Sequence, residues 1–315
     1  MTALALKPRR VLRAPGLLAI LAAILVGFAL GARDFTTAAN LTNIALQSSV
    51  LLLLALPMTF VVMTEGLDLS IGAVLSLASV VLAQVVVATG SVSLAVAAGL
   101  TVGAALGAVN GILIAFVRIP PFVATLGMLG IAQGLALIVS DGQSITGIPP
   151  SVDFVYEGRV LGAPLPILLM IAAYLLMHAL LYRTRFGTYV IALGGNREAL
   201  ALAGVNWRVM LILVYALAGA CAGFAGLLLT ARLNAGHPTA GVGMEFDAIA
   251  AVALGGTSFE KGNGWLPGTL LGVLTIGVLH NGLNLLTIPS ALQVCCIGLL
   301  VILIFLFEAL RKETP

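Results

Sequence analysis

Charge is the scarcest property of this 315-residue sequence. Only 27 side chains carry a formal charge, 15 Lys or Arg and 12 Asp or Glu, which is 9% of the chain, against about 25% in soluble domains. Hydrophobic residues make up 61%, and the mean hydropathy is +1.16. A soluble domain of this size still exposes about a quarter of its surface, so this composition argues against a soluble enzyme. It argues equally against a disordered or nucleic-acid-binding chain, and we expect lipid to be the solvent.

Cysteine and lysine are also scarce, which removes several kinds of site. The cysteines, Cys221, Cys295 and Cys296, lie in apolar runs without metal or disulfide spacing, as buried small hydrophobic residues do. None of the three lysines follows a glycine, so the phosphate-binding Gly-Lys motif is missing. The three histidines stand apart from any Cys or acidic cluster with metal-ligand spacing. We therefore expect no enzyme active site and no metal or other cofactor in this chain.

The uncharged intervals predict the membrane spans, because a charge at the bilayer centre is costly. At about 20 residues per helix, they supply nine spans. The intervals are 14–32, 35–64, 69–117 (two spans), 119–140, 160–182, 209–231 and 262–307 (two spans). A tenth apolar segment, Phe246–Leu254, is too short for a standard span. It is either a re-entrant segment or a short helix shielded by its neighbours.

The distribution of basic residues predicts the orientation of the chain. The tail of residues 1–13 holds four basic residues and should be cytoplasmic. If the short segment crosses, ten crossings place 12 of the 15 basic residues inside; if it does not, Arg311 and Lys312 end up outside. We therefore predict an all-α polytopic membrane protein with about ten transmembrane helices, one of them short or re-entrant. Both termini are cytoplasmic, and residues 1–315 form one transmembrane domain.

A glycine repeat within one predicted span indicates how the helices pack. Gly99, Gly103, Gly107 and Gly111 recur every four residues. Because lipid tails are as apolar as leucine, membrane helices gain from close backbone contact over small residues. We expect this stripe to pack tightly within one subunit, with a contact between subunits as the alternative.

The longest basic cytoplasmic segment, residues 183–208, contains a short helix with both ends marked. Asn196 suits the N-cap and Gly204 suits the position after the last turn. So short a helix is marginal alone in water, and it exposes Leu200 and Leu202 among alanines. We expect it to dock on a partner, as amphipathic helices do in grooves. An ordinary connector on the membrane surface is the alternative.

Polar residues at two other places allow either structural or functional interpretations. Asp68 and Ser70 lie in the turn between the second and third spans and suit capping of the next helix. A direct transport role for Glu65 or Asp68 is the alternative. His280, Asn281 and Asn284 fall on nearby turns of one span. They either line a polar path or form hydrogen bonds between helices.

Several strings resemble the ribose-type permeases of ABC transporters. Residues Glu65–Gly72 are similar to that family's turn, usually GGIDLSVG, through Gly66, Asp68, Ser70 and Gly72. Residues 183–206 are similar to its cytoplasmic coupling loop. Further similar strings are Ala231–Leu233, Pro238–Gly241, Glu245–Val252, Leu254–Ser258 and Asn281–Leu286. The similarity extends from about residue 40 to about residue 310, and the combination of strings is specific although each alone is weak.

The resemblance implies a bacterial inner-membrane importer of several subunits. Two permease subunits, identical or different, would form the path through the lipid. A separate ABC ATPase on the cytoplasmic side would bind and hydrolyse ATP, so this chain would be neither an enzyme nor a cofactor carrier. A sugar-binding protein would deliver the solute from outside, and nucleic acid would have no part. The coupling segment to the ATPase would include Gly187, Gly194, Gly195, Asn196, Ala199 and Gly204.

The sequence departs from the family pattern at three places. Glu65 stands where the family usually has Gly, residues 259–264 differ from its glycine-rich ending, and His280 stands where the ribose branch tends to have Asn. If His280 faces the solute, another pentose, a hexose or a related polyol becomes as plausible as ribose.

Three functions are compatible with this composition. For an ATP-driven monosaccharide importer, the path candidates are polar residues suited to a neutral sugar: Gln84, Asn110, Gln133, His280, Asn281 and Asn284. The alternative is an ion-coupled secondary transporter of a small neutral solute, which usually keeps ionisable residues within its spans. The main uncharged intervals contain no Asp, Glu, Lys or Arg, which argues against it. A simple membrane anchor leaves the capped loop unexplained.

Overall fold

The computed structural model describes residues 14–258 and 263–312, and helices account for most of them. The elements in chain order are α1 (Ala14–Gly31), α2 (Ala38–Met63), α3 (Ile71–Thr89), α4 (Val92–Ile112) with a π-helical extension (Leu113–Val117), α5 (Pro121–Val139), α6 (Pro150–Glu157), β1 (Arg159–Val160), β2 (Ala163–Pro164), α7 (Leu165–Arg183), α8 (Arg185–Gly195), α9 (Arg197–Leu202), α10 (Trp207–Leu233), α11 (Met244–Leu254), α12 (Leu266–Leu285) and α13 (Ser290–Lys312). The predicted tail, residues 1–13, and residues 259–262 lie outside the described residues.

Seven helices in the described part of the chain are long and apolar enough to cross a membrane. They are α2, α3, α4 with its extension, α5, α7, α10 and α12. Shorter apolar helices occupy Gly16–Gly31 and Ser290–Leu300. These findings agree with the predicted all-α polytopic class.

Helix α2 lies at the centre of the fold. Every residue from Ser48 to Met63 is buried, as expected of a helix that is apolar on all sides. Helices α7, α10, α11 and α12 pack around it. Its Thr59 hydroxyl lies 2.7 Å from the Thr269 hydroxyl of α12, so one of the two donates and both are satisfied within the core.

The glycine repeat forms the most extensive helix contact, between α4 and α10. A Cβ added at Gly103 would meet the carbonyl oxygen of Gly219, and one added at Gly219 would meet that of Gly103. Gly107 faces the Tyr215 carbonyl in the same manner, and Gly223 faces that of Gly99. The predicted tight packing within one subunit is therefore confirmed, since only glycine lets the two backbones come this close.

Helices α3 and α11 both begin inside the bundle. The carbonyl of Leu67, in the connection before α3, accepts a hydrogen bond from the Tyr215 hydroxyl. Tyr215 lies about 12 Å from the start of α10, at 1.5 Å per residue. The connection before α11 runs along α3, where Gly241 donates its backbone N–H to the Ser76 hydroxyl at 2.9 Å. Gly72, next to the start of α3, contacts the Glu245 carboxylate in the first turn of α11. Discontinuous helices of this kind, whose ends lie inside the membrane, are typical of many transporters.

The connections separate into two groups at opposite ends of α10. At its start, Arg197 contacts Glu65, and the Tyr182 hydroxyl accepts from the Leu266 N–H. At its other end, Ile145 and Gly236 form an antiparallel bridge with two backbone hydrogen bonds of 2.9 Å. Connections that the charge distribution assigns to the same side of the membrane therefore meet in space.

Two expectations about local structure need correction. The interval 160–182 supplies its predicted span, Leu165–Arg183, but the helix starts later than the interval, because residues 159–164 form the hairpin β1–β2, in which Arg159 pairs with Pro164. The turn needs left-handed backbone at Leu161 and Gly162, so the helix starts only at Leu165. Cys295 and Cys296 were expected to be buried, as Cys221 is, but both are exposed.

Candidate functional site: the coupling segment and the polar interior

The basic segment 183–208 folds as two helices whose ends are capped by their own sequence. The Thr184 hydroxyl accepts from the Gly187 N–H and begins α8. The Asn196 side chain accepts from the Ala199 N–H at 2.9 Å and begins α9. Gly204 has a φ of +78°. The next residue, Val205, donates its N–H back to the Leu200 carbonyl of α9. The predicted cap and stop are confirmed, because each satisfies backbone groups that a helix end leaves free.

The six predicted coupling residues separate into a buried base and an exposed tip. Gly187 and Gly194 are buried, and a Cβ at Gly187 would meet the Leu181 backbone. The exposed members are Gly195, Asn196, Ala199 and Gly204. The expectation that both leucines of α9 are exposed is wrong for one of them: Leu202 is 90% exposed, but Leu200 is only 5% exposed. A six-residue helix presents one side to its own protein, which the alternation of alanine and leucine did not reveal.

Arg197, the first residue of α9, ties this tip to the end of α2. Its guanidinium donates to the Thr64 carbonyl at 3.3 Å and lies 3.9 Å from the Glu65 carboxylate. It also lies over the Trp207 ring, 5.8 Å from the centroid. The tip of the coupling segment is thus connected directly to the turn that leads into α3, a contact that sequence reasoning missed because 133 residues separate the partners.

The turn between α2 and α3 is held by hydrogen bonds to one buried carboxylate. One oxygen of Asp68 accepts from the Ser70 N–H at 2.9 Å and from the Ser70 hydroxyl at 2.6 Å. Asn110 of α4 donates to the Ser70 oxygen at 2.9 Å. Asp68, Ser70 and Asn110 are all buried. Asp68 therefore organises the backbone before α3 through Ser70 rather than capping the helix end directly.

Both glycines of the turn motif lie where no side chain fits. A Cβ at Gly66 would meet the Tyr215 hydroxyl, and one at Gly72 would meet the Glu245 carboxylate and the Gly241 carbonyl. Glu245 in turn accepts from the Gly243 N–H at 3.1 and 3.2 Å, which satisfies a backbone donor at the start of α11. The two glycines that this motif has in common with the family's turn therefore allow close packing of the backbone.

The six predicted path residues have different surroundings. Asn110 contacts Ser70, and Asn281 exchanges hydrogen bonds with Asn40 of α2. Gln133 is partly buried and donates to the Pro238 carbonyl at 2.9 Å, while its buried side-chain oxygen has no partner among the described residues. Gln84 is exposed.

His280 and Asn284 belong to a polar cluster that joins α11, α12 and α13. His280 Nε2 lies 3.2 Å from the Asp247 carboxylate, and Nδ1 lies 3.3 Å from the Gln293 oxygen. The Gln293 amide donates to Asn284 at 2.8 Å and to the Ile288 carbonyl at 2.9 Å. Sequence reasoning singled out His280 and Asn284 by their spacing within α12, and it noted Asp247 only as an ionisable residue of the short apolar segment. No local signal identified Gln293 or the pairing of Asp247 with His280.

Comparisons with known proteins agree with this architecture. A family profile described as "Branched-chain amino acid transport system / permease component" matches residues 40–305. The ribose import permease protein RbsC of Escherichia coli K12 is 42% identical over 279 residues, covering 87% of each chain. RbsC of Bacillus subtilis is 41% identical over 283 residues, covering 89% of this chain and 87% of the relative.

The D-allose transport system permease protein AlsC of Escherichia coli is 39% identical over 287 residues, covering 90% of this chain and 87% of the relative. No solved structure matches the chain significantly.

The fold and these relatives define a multi-pass membrane transport subunit of the bacterial inner membrane, not an enzyme. The chain belongs to the family of ABC importer permeases, in its ribose-type branch. ATP is hydrolysed in such importers by a separate subunit.

Proposed function

We propose that this chain carries a monosaccharide across the inner membrane in an ATP-driven importer. The capped and exposed tip of α9 carries this proposal, because a permease that lacks an ATPase needs a surface through which a separate one can act. The relatives named for ribose and allose support a sugar as the solute. Nothing in the comparisons favours the ion-coupled alternative.

The proposed orientation has ten crossings in one transmembrane domain, with both termini in the cytoplasm. In this orientation, the short helix α11 and the extended connection before it together form one crossing. The separation of connections to the two ends of α10 supports this arrangement, as does the excess of basic residues at the end that contains Arg197 and Trp207.

In this orientation the exposed residues Gly195, Asn196, Ala199, Gly204 and Leu202 face the ATPase. Movement of α9 reaches the start of α3 through Arg197 and the carbonyl of Thr64. The buried Gly187 and Gly194 let α8 pack close to its neighbours, so that the tip moves with the bundle and not independently of it. No cofactor is expected in this chain.

The proposed solute path runs along the uncovered face of α5 and α3, between two permease subunits. Gly127, Gly130 and Gly134 of α5 have no other atoms near their Cβ positions, and Gln133 carries a side-chain oxygen without a partner among the described residues. Gln84 of α3 is exposed. An uncharged, hydrogen-bonding lining suits a neutral sugar, whereas Asn110 and Asn281 act within the bundle and His280 and Asn284 act in the α11–α13 cluster.

Reconstitution tests this function. The permease, its ATPase and the sugar-binding protein, co-purified and placed in proteoliposomes, should take up radiolabelled ribose or allose only with ATP inside and binding protein outside. A proton or sodium ionophore should leave uptake unchanged at constant ATP. Uptake driven by an ion gradient without ATP would instead support the secondary transporter. Crosslinking of a cysteine placed at Gly130 to its counterpart in a second permease subunit tests the dimer and the face of α5.

A further inference from the structure

A cavity of about 370 Å³ lies where the turn after α2, the end of the π-helical extension, and the starts of α5 and α10 meet. Its deeper wall is apolar and includes Ile114 and Leu211, which are buried. Its charged side chains are Glu65, Arg118 and Arg197, all of them exposed. The cavity is therefore amphipathic, with an apolar interior and a charged opening.

Two of these charged residues are held in a backbone conformation that side chains disfavour. Glu65 has a φ of +61° and Arg118 a φ of +64°, both in the left-handed region that favours glycine. Each of the two residues ends a helix: Gly66 donates its N–H back to the Val61 carbonyl of α2, and Ile119 donates to the Leu113 carbonyl of the π-helical extension, as at many helix C-termini. The two helix ends place Glu65 and Arg118, of opposite charge, at the same cavity.

The charges at this opening are incompletely satisfied by the protein itself. The contact between Arg197 and Glu65 is 3.9 Å long, with side chains 43% and 46% exposed, so it contributes little stability. Arg118 has no carboxylate partner among the described residues. The cavity opening therefore carries one carboxylate and two guanidinium groups, which gives it a net positive charge.

The residues around the opening are typical of a membrane surface. Phe116 and Val117, directly before Arg118, are 55% and 61% exposed. Trp207 lines the cavity, and tryptophan is enriched at the level of lipid headgroups. The Arg208 guanidinium lies 5.5 Å from the centroid of the Phe116 ring. A ligand in this place has its polar part at the arginines and its apolar part along the exposed helix surface.

We infer that this cavity binds the headgroup of an aminophospholipid. Arg118 and Arg197 bind the phosphate, as guanidinium groups do in basic pockets between transmembrane helices. Glu65 binds the primary ammonium group, which accounts for a carboxylate in an otherwise basic opening. The site lies against the first residue of α9, so the lipid stabilises the contact between α9 and the end of α2. This inference is independent of which solute is carried.

Native mass spectrometry of the full-length permease tests the inference. The purified protein is incubated with vesicles of phosphatidylethanolamine, phosphatidylcholine or phosphatidylglycerol at equal lipid concentration. We expect retention of phosphatidylethanolamine to exceed that of the other two about tenfold, because one charge-assisted hydrogen bond is worth that factor. Phosphatidylcholine cannot donate a hydrogen bond to Glu65, and phosphatidylglycerol has no cation for it.

Variants separate the two halves of the site. Glu65→Gln should remove the preference for phosphatidylethanolamine, and Arg118→Gln should reduce retention of all three lipids. Arg159→Gln is the matched control, since Arg159 is an exposed arginine in the β1–β2 hairpin, and it should change nothing. Equal retention of the three lipids by the wild type, or an equal loss in the Arg159 control, overturns the inference.

A competition experiment on the unmodified protein keeps the test independent of whether the variants fold. Free phosphoethanolamine at millimolar concentration should not displace the bound lipid, because it lacks the acyl chains that lie along the exposed helix surface. If it displaces the lipid fully, the occupant is a soluble zwitterion and the assignment to a lipid is wrong. Neither result depends on the sugar-transport assay.

Discussion

Asn40 and Asn281 donate to each other's side-chain oxygen, at 2.9 Å in both directions, and so join the start of α2 to α12 across 241 residues. Both residues are buried, and Asn40 also donates to the Phe35 carbonyl at 2.9 Å. Within an apolar bundle such a reciprocal pair satisfies both amides and excludes other registers of the two helices. Asn281 therefore contributes to helix packing rather than to a solute path in this arrangement.

We expect Asn281→Leu to lower the free energy of unfolding by about 1–3 kcal/mol, because it leaves the buried Asn40 amide without its partner. The double variant Asn40→Leu/Asn281→Leu should lose less than the sum of the single variants, since no orphan amide remains between them. Thermal unfolding in detergent measures all four proteins. Additive losses would show that the pair is not coupled.

The glycines of α4 and α10 give a second prediction. Gly107→Ala should destabilise the protein by about 1–3 kcal/mol, as overpacking does, because its Cβ would meet the Tyr215 carbonyl. Gly127→Ala in α5 is the control, since no other atom lies within 4 Å of its Cβ position. The unfolding temperature of the isolated permease in detergent is the measurement. Equal losses in both variants would contradict the role of close backbone contact.

The two leucines of α9 distinguish docking from folding. Leu202→Ser should weaken binding of the ATPase while leaving the unfolding temperature unchanged, because Leu202 is 90% exposed. Leu200→Ser should instead lower the unfolding temperature, because Leu200 is only 5% exposed. The substitution removes about 2 kcal/mol of stabilisation from apolar burial. Co-purification with the ATPase and thermal unfolding are measured on both. Normal ATPase binding by Leu202→Ser would remove the docking role of this face.

Removal of the α9 cap tests whether its helical conformation matters for coupling. Asn196→Ala loses the hydrogen bond to the Ala199 N–H and should destabilise α9 by about 1 kcal/mol. We expect sugar uptake per ATP hydrolysed to fall, and Asn196→Asp, which keeps an N-cap acceptor, to restore it. If uptake per ATP stays unchanged in Asn196→Ala, α9 does not have to be helical for transport.

The contact between His280 and Asp247 gives the last prediction. His280→Leu should destabilise the α11–α12 contact by about 1–3 kcal/mol, because it leaves the partly buried Asp247 carboxylate without its partner. His280→Asn should retain part of the stability through a shorter hydrogen-bonding side chain. Thermal unfolding compares the stability of the two variants. Adding Asp247→Asn to the His280→Leu variant should recover stability. Failure to recover would show that Asp247 is satisfied from elsewhere.

The membrane class and most helix ends could be predicted because they depend on local chemistry. Asn196 and Gly204 delimit α9 through backbone groups within a few residues, and a charge-free interval reports directly on lipid contact. The hairpin at 159–164 was missed because Leu161 adopts a left-handed conformation that its residue type does not indicate. Apolar composition alone cannot distinguish a hairpin from the first turn of a helix.

The scarcity and distribution of charge by themselves determined that this chain lies in lipid and which of its segments is basic. Only the tertiary structure decided the partners of its few polar residues: Asn281 with Asn40, His280 with Asp247, and Arg197 with Thr64 and Glu65. The physical reason is that hydrogen bonds between helices depend on which faces meet, and a hydropathy pattern uniform around each helix does not specify a face.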